Sequence, residues 1–391
     1  MSGVHASSTN LTVVSINSST SGRNNLPVPP GILAYVPINV TNSQDVPTPA
    51  PFQQIINADS LTYSAFEAPN LQNVEFFTSQ GVAIPSWLES GADSNSTVTI
   101  YWLKLASAIP AKASAVIYMG FASRNSNLFE VGISGEAPSI STTYGQYDNG
   151  GRVFTYYTNF SGTSLPSSLQ FTEQSNNECG VQTNATYHVD NDLIVNATGS
   201  LGGGCGGGAF FDTLAKYSPS VVEADLVSQT GPSSVSLESF YPVVAWDTIL
   251  PSTFWGGDGG YAFDYRVCGC GTQWQIMEGN TGALAGWVVT ASSSAGVPSG
   301  VYGIGWSKSG NQYGWQQYRE QLTSTNETYS YQPAHGGFGY VNSEPTPYNA
   351  VFDWFRIRAL PPNGEMPSVS FGAVVVPNPS TEFSATRSAA G

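Results

Sequence analysis

Charged side chains are scarce in this sequence. Asp, Glu, Lys and Arg make up 10% of its 391 residues, against about 25% in an average soluble domain. The balance is acidic, with 27 Asp and Glu against 12 Lys and Arg and a net charge of −15. Proteins that bind a phosphate backbone need clustered Lys and Arg. The lysines here stand apart, at Lys104, Lys112, Lys216 and Lys308. The composition therefore excludes nucleic acid as a partner.

Long apolar runs are also missing. No run approaches the ~18 apolar residues that a membrane helix needs, so no membrane span is expected. The opening residues, MSGVHASSTN, lack the charged and apolar segments of a signal peptide, and we expect the trimmed, mature form of an extracellular protein. Sequons for N-glycosylation support a surface location; they lie at Asn10, Asn17, Asn39, Asn95, Asn159, Asn184, Asn196 and Asn326.

Cysteine is rare, and its pairing stays open. The four cysteines lie in the second half of the chain, at Cys179, Cys205, Cys268 and Cys270. Cys268 and Cys270 fall on one face of an expected strand, which favours separate disulfide partners, Cys179 and Cys205, over a local bridge. A four-thiolate zinc site is the alternative, but such sites usually carry two C-x-x-C pairs. We expect disulfides, as is common in secreted domains.

Glycine and proline are plentiful, with 42 and 25 copies, and they separate short alternating segments. In STVTIYWLKL, for example, Val98, Ile100 and Trp102 share one face. Runs rich in Val, Ile, Tyr and Trp and bounded by turn residues are typical of strands. No helical apolar stripe exceeds about two turns. We therefore predict an all-β protein.

Changes in composition divide the chain into five parts. We predict a polar N-terminal arm over residues 1–29, a small β-sandwich over 30–131 and a turn-rich linker over 132–151. A larger sandwich of about ten strands follows over 152–377, and a flexible tail occupies 378–391. The arm contains the alternating segment LTVVSINSS, which suits addition as a strand to the sheet of a neighbouring copy.

Two resemblances follow from local motifs. The segments IPSWLES, YWLKL and IYMGF, at Ile84–Ser90, Tyr101–Leu105 and Ile117–Phe121, resemble the domain-of-unknown-function family numbered 2341. The second half, from Asn159 to Arg358, resembles the concanavalin A-like lectin/glucanase sandwiches. Such pairings are similar to large extracellular proteins of archaea. The resemblance implies that the second domain is a jelly roll, and it indicates a location more than a reaction.

The resemblance to glucanases directs attention to carboxylates. Members of that superfamily carry three on one strand, spaced E-x-D-x-x-E or E-x-D-x-E, so that one attacks the anomeric carbon and another protonates the leaving oxygen. The nearest match is VVEADLVSQTG, where Glu223 and Asp225 share a face opposite to Val222, Ala224 and Leu226. They are catalytic candidates only if the protein is a hydrolase, because the third carboxylate is absent. Candidates to replace it from other strands are Asp264, Glu278, Glu320 and Asp353.

A lectin instead needs aromatic rings that stack on sugars and polar groups that bond to hydroxyls. Seven of the nine tryptophans lie in the second sandwich, and most tryptophans of a sandwich fill its core. The segments FWGGDGGY and WQQYRE combine a tryptophan with polar groups. They supply the candidates for carbohydrate binding: Trp255, Asp258, Trp315, Gln317, Arg319 and Glu320.

The segment VDNDL offers Asp190 and Asp192 as oxygen ligands for calcium, although turn formation explains the same residues without a metal. No other cofactor is indicated. We expect an extracellular, cell-surface carbohydrate-binding or adhesion protein without catalytic turnover, with a polysaccharide or glycan as its partner. A glucanase-type glycoside hydrolase is the first alternative. The second is a structural subunit of a surface layer or filament, linked to copies of itself through the arm.

Overall fold

The structure, a computed structural model, describes residues 26–175, 184–198, 207–230, 239–246, 260–268, 271–279, 288–293, 299–317, 319–325, 333–342 and 348–377. Strands dominate these ranges. The helices α1 (Ser60–Tyr63) and α2 (Gly150–Val153) each make about one turn, and 3-10 turns lie at Phe129–Val131 and Pro362–Gly364. No helix in the described ranges is long and apolar enough to cross a membrane. Most of the predicted arm and all of the predicted tail fall outside the described residues.

The strands of the described residues are, in chain order, β1 (Ile32–Asn42), β2 (Phe52–Ala58), β3 (Val74–Thr78), β4 (Ala83–Ile84), β5 (Ser86–Ser90), β6 (Thr99–Leu105), β7 (Ala113–Ala122), β8 (Ser134–Glu136), β9 (Tyr156–Asn159), β10 (Leu169–Ser175), β11 (Asn184–Val189), β12 (Leu193–Thr198), β13 (Gly207–Tyr217), β14 (Ser220–Gln229), β15 (Ser239–Trp246), β16 (Gly260–Cys268), β17 (Gly271–Gly279), β18 (Val288–Ser293), β19 (Gly300–Trp306), β20 (Gln312–Gln316), β21 (Arg319–Ser324), β22 (Ala334–Asn342), β23 (Tyr348–Ala359) and β24 (Ser368–Phe371). They form four sheets and two sandwiches. The prediction of an all-β protein with two sandwich domains is confirmed.

The first sandwich packs a five-stranded sheet, in the order β24-β1-β7-β3-β4, on a four-stranded sheet, in the order β2-β6-β5-β8. Pairing is antiparallel except between β5 and β8. Alternate residues of each strand enter the core between the sheets; examples are Val36 and Ile38 of β1, Met119 of β7 and Leu103 of β6. The opposite face of the four-stranded sheet carries Ile55, Trp87 and Trp102.

The second sandwich consists of two facing antiparallel sheets, as the sequence predicts. A seven-stranded sheet runs β10-β13-β22-β15-β16-β17-β18. An eight-stranded sheet runs β11-β12-β23-β14-β19-β20-β21, with β9 also paired to β23. Val222, Ala224 and Leu226 of β14 point into the core between them, as their spacing predicts. The alternate residues of β14 therefore face away from this core.

The two sandwiches pack sheet against sheet. Trp87 and Trp102 of the four-stranded sheet form one buried cluster with Val301 and Trp354 of the eight-stranded sheet, joined by Phe154 from the connecting segment. The outer face of β14 is consequently covered by the first sandwich over part of its length. The four sheets therefore lie one on another, and the four-stranded and eight-stranded sheets face each other in the middle.

Two predicted boundaries differ from the structure. The segment 132–151, expected to be a linker, contains β8, which pairs with β5. It also holds the carboxylate of Asp148, which accepts hydrogen bonds from Trp87 Nε1 at 2.9 Å and Tyr157 Oη at 2.8 Å. In addition, β24 falls within the range given to the second sandwich but pairs with β1 of the first. These pairings depend on contacts distant in sequence, which composition does not report.

Candidate functional site: an acidic groove between the sandwiches

Glu223 is the anion of a buried ion-pair network. It is 1% exposed, and its Oε2 accepts from Arg356 Nε at 2.7 Å while Oε1 accepts from Arg358 Nη2 at 2.8 Å. Burial alone would raise the pKa of Glu223, but Arg358 and Arg356 hold it below its ordinary value. Both oxygens are occupied and shielded from solvent. The expected catalytic role of Glu223 is therefore corrected to a structural one.

Arg356 carries this network into the first sandwich. It is fully buried, and its Nη1 donates to Glu89 Oε2 on β5 at 2.7 Å. Its guanidinium carbon lies 4.2 Å from the ring centroid of Trp354, 4.5 Å from Phe154 and 4.7 Å from Trp102. Such cation–π contacts are strongest when the cation is desolvated. We call Arg356, Glu223 and Glu89 the interdomain clamp, since they tie the eight-stranded sheet to the four-stranded sheet.

Asp225 lies one step further along the same face of β14, at a β-bulge. The pairing of β14 with β23 passes from Ala224↔Phe355 to Leu226↔Phe352, so Asp225 alone opposes both Asp353 and Trp354. A bulge of this kind re-aims the side chains of the longer strand. Adjacent residues of a regular strand point to opposite faces. At this bulge, however, Asp353 and Trp354 both line the same cavity as Asp225.

The cavity is a groove between the two sandwiches with two lobes, of about 690 and 520 Å³. Four residues line both lobes: Ser139, Asp225, Gly300 and Asp353. Most other lining side chains end in a hydroxyl, amide or carboxyl group; they include Asn57, Glu89, Ser90, Gln316 and Gln317 in the larger lobe and Ser141, Thr142, Tyr144 and Asp192 in the smaller. The groove therefore offers many hydrogen-bonding groups within a partly enclosed space. We call it the interdomain groove.

The three aspartic acids that line the groove hold their protons more tightly than usual, because the pKa of each is raised. Burial raises the pKa of Asp225 to about 8, and the nearby Asp353 and Glu89 add to the rise. Burial and Asp353 raise the pKa of Asp192 to about 6. Burial also raises the pKa of Asp353, against the effect of the hydrogen bond that Tyr144 Oη donates to Asp353 Oδ1 at 2.7 Å. At neutral pH Asp225 is therefore a protonated acid.

The ring of Trp315 is not exposed for a sugar to stack on. It is 5% exposed and packs with Val221, Tyr313 and Leu360 on the outer face of the eight-stranded sheet. Gly305 of β19 makes room for it, because a Cβ there would lie 2.5 Å from the Trp315 ring. The expectation that Trp315 binds carbohydrate through an exposed ring is corrected, because the ring is buried against Val221, Tyr313 and Leu360.

Other predicted residues do reach the groove. Gln317, Asp353 and Asp192 were expected to serve in sugar binding, in proton transfer and in metal binding respectively, and all three line the same groove as Asp225. Asp190 is exposed in the turn between β11 and β12. No group of three His, Cys, Asp or Glu side chains suited to a metal occurs in the described part of the chain; calcium binding stays a prediction.

The remaining candidates cannot be placed at the groove. Glu278 is 2% exposed in the seven-stranded sheet and is not among the residues that line the groove. The residues outside the described ranges are Cys179, Cys205, Trp255, Asp258 and Cys270. The side chains of four further residues are also outside the description: Asp264, Cys268, Arg319 and Glu320. The pairing of the cysteines therefore stays a prediction.

Most groove residues escaped the sequence analysis, among them Glu89, Ser139 and Tyr144. Ser139 and Tyr144 lie in the segment expected to be a linker, where no periodicity marks them. Glu89 gives a better signal, because it alternates with Trp87 on a short strand and so shares the face of a large aromatic side chain. A charge beside a tryptophan on one strand face indicates a surface covered by another layer.

Comparisons with known proteins give one relative in sequence and several likenesses in fold. The chain is 31% identical over 355 residues to a protein called "Uncharacterized protein 562" from Sulfolobus islandicus rod-shaped virus 1. The match covers 86% of this chain and 58% of the viral protein, so the chain spans less than two thirds of that relative. No family model matches the chain, and the expected resemblance to the family numbered 2341 finds no support.

Among solved structures, the β-glucanase of Bacillus licheniformis has a TM-score of 0.36 and 14% identity, covering 52% of this chain and 97% of its own. LamA of Zobellia galactanivorans, solved with laminaritriose and laminaritetraose, has a TM-score of 0.37 and 12% identity, covering 52% and 98%. The carbohydrate recognition domain of Emp46p has a TM-score of 0.35 and 8% identity, covering 49% and 88%. At these scores the likenesses carry no argument about chemistry.

Proposed function

We propose that this protein is an extracellular carbohydrate-binding protein and that the interdomain groove holds the glycan. The observation that carries the proposal is the lining of the groove, where amides, hydroxyls and carboxyls from both sandwiches converge. Sugar hydroxyls both donate and accept hydrogen bonds, and mixed groups of this kind satisfy them. The exposed sequon residues Asn39, Asn95 and Asn184 support an extracellular location.

Removing one hydrogen-bonding side chain from the groove tests this assignment. Gln317 is exposed and lines the larger lobe. The substitution Gln317→Ala is expected to weaken glycan binding roughly fivefold, as the loss of about 1 kcal/mol of hydrogen bonding requires. The measurement is isothermal titration at pH 5 with neutral laminarin, mannan and dextran and with anionic alginate.

The matched control is Gln80→Ala, at an exposed turn of the first sandwich away from the groove. It is expected to leave the affinity unchanged. Equal affinity of Gln317→Ala and the wild type for every polysaccharide bound would place the glycan elsewhere. Absence of binding across the whole panel would count against a carbohydrate-binding function.

Glycoside hydrolysis is the second candidate, favoured by one observation. Asp225, protonated at neutral pH, stands beside other carboxyl groups in one groove, and glycosidases use one carboxyl as acid and another as base or nucleophile. Incubation with the same polysaccharides and assay of new reducing ends distinguishes the two functions. Release that disappears in Asp225→Asn would support the hydrolase; bound but intact polysaccharide would support the binding protein.

A further inference from the structure

Three acids of the interdomain groove, Asp225, Asp353 and Asp192, form no ion pair with a Lys, Arg or His of the described residues. Arg356 is the nearest, but its guanidinium is bonded to Glu89 and Glu223 in the clamp. Asp225 accepts no hydrogen bond from any residue that the structure describes. Asp353 is better satisfied, with donors from Tyr144 and Ser139. Asp225 is thus an acid of the groove without a hydrogen-bond donor of its own among the described residues. Its carboxyl group can be stabilised by keeping its proton or by bonding to a ligand.

Each element around Asp225 contributes a titratable group. Asp353 and Arg356 come from β23, Glu89 from β5, and Asp192 from the turn between β11 and β12; Glu223 precedes it on β14. Around these lie Tyr144 and Asp148 of the connecting segment, which act on Asp353, and Asp190, which acts on Asp192. Acids outnumber the single neighbouring cation. Like charges in a partly enclosed site cannot all ionise, so such groups share protons.

We propose that the interdomain groove is a proton-gated site for uncharged glycans, in which a proton shared by Asp225 and Asp353 is required to hold the ligand. This inference rests on the proposed function of the groove. A protonated carboxyl donates one hydrogen bond and accepts others, so it complements a sugar hydroxyl. When the proton leaves, the pair only accepts hydrogen bonds, and the negative charges of Asp225 and Asp353 repel each other within the partly enclosed groove. An anionic glycan adds to that repulsion at every pH.

The direction of the pH dependence follows from linkage. Binding that needs the protonated pair is full below the pKa of Asp225, which burial and Asp353 raise to about 8. It weakens as the pH rises through that value, by at most tenfold per pH unit for one proton. The affinity for laminarin or mannan is therefore expected to fall at least fivefold between pH 5 and pH 9. Alginate is expected to bind more weakly than either at both values.

The decisive variant is Asp225→Asn, whose amide keeps a donor that cannot ionise. The affinity of this variant for laminarin or mannan at pH 5 is expected to differ several-fold from that of the wild type. The fall in its affinity between pH 5 and pH 9 should shrink to less than twofold. Titration of both proteins with laminarin and mannan at pH 5, 7 and 9 measures this, and the proton uptake on binding is obtained from buffers of different ionisation enthalpy. Glu130→Gln, an exposed acid of the first sandwich, is the control and should keep the wild-type pH profile.

Each result has a distinct meaning. Binding that is independent of pH in the wild type, or an equally steep fall in Asp225→Asn, overturns proton gating while leaving the glycan-binding function intact. Tighter binding of alginate than of the neutral polysaccharides overturns the preference for uncharged ligands. No binding of any polysaccharide at any pH overturns the proposed function and the gating with it.

Discussion

Replacing Arg356 with methionine is expected to lower the free energy of unfolding by about 3–5 kcal/mol, the usual cost of removing one partner from a buried ion pair. Arg356 is fully buried and supplies the cation for Glu89 and part of that for Glu223. Methionine fills much of the space between Trp354, Phe154 and Trp102 but leaves both carboxylates with less positive charge. Arg358 still pairs with Glu223, so Glu89 is expected to be the more destabilised of the two.

Urea unfolding, followed by tryptophan fluorescence and far-ultraviolet circular dichroism, measures the effect. Arg124→Met, at an exposed arginine, should stay within about 0.5 kcal/mol of the wild type. The double variant Arg356→Met/Glu89→Gln should recover part of the loss, because it removes the unpaired charge. A loss below about 1 kcal/mol in Arg356→Met would contradict the clamp, since an unpaired buried carboxylate costs more than that.

Glutamine in place of Glu67 is expected to change how stability depends on pH. Glu67 lies in the first sandwich and is fully buried, and no described Lys, Arg or His pairs with it. Burial raises its pKa to about 8; the Ser60 hydroxyl opposes the rise and Asp59 adds to it. The unfolded chain ionises this carboxyl near its ordinary value of 4.5, while the folded chain keeps the proton until about pH 8.

The sign follows from these two values. The stabilising contribution of protonated Glu67 is complete below pH 4.5, decreases as the pH rises, and is lost above about pH 8. Each pKa unit corresponds to about 1.4 kcal/mol. Relative to the wild type, Glu67→Gln should therefore gain about 3–5 kcal/mol in unfolding free energy between pH 4 and pH 9. Denaturation at both values tests this, with Glu130→Gln as the exposed control; a constant difference at the two pH values would contradict the buried acid.

Local periodicity predicted much of the fold. On β14 the alternation of Val222, Ala224 and Leu226 with Glu223 and Asp225 predicted which side chains enter the core, and the structure agrees. The period of two is a property of any extended strand, so it needs no knowledge of distant residues. The sequence did not predict that the outer face of β14 is itself covered, because that depends on how two separate domains pack.

The groove was only partly predictable for the same reason. Asp225 and Asp353 were singled out for catalysis and Gln317 for carbohydrate binding, but the sequence did not indicate that the three line one groove. Their convergence depends on the pairing of β14 with β23 and on a bulge, which involve residues far apart in sequence. Trp315 was misjudged because its burial depends on Gly305 of a neighbouring strand. The residue types indicated which side chains could bind a sugar or transfer a proton. The register between paired strands determined which of those side chains lie together.

The position of β24 affects how the protein is made. β1 bonds to β7 on one side and to β24 on the other, yet a ribosome adds β24 only after it has synthesised the whole second sandwich. Until then a nascent chain presents one side of β1 with unpaired backbone groups, the kind of strand edge that recruits other chains. The first sandwich to emerge is thus the last to be completed, and the closing step of its folding waits for residues near the other end of the described chain.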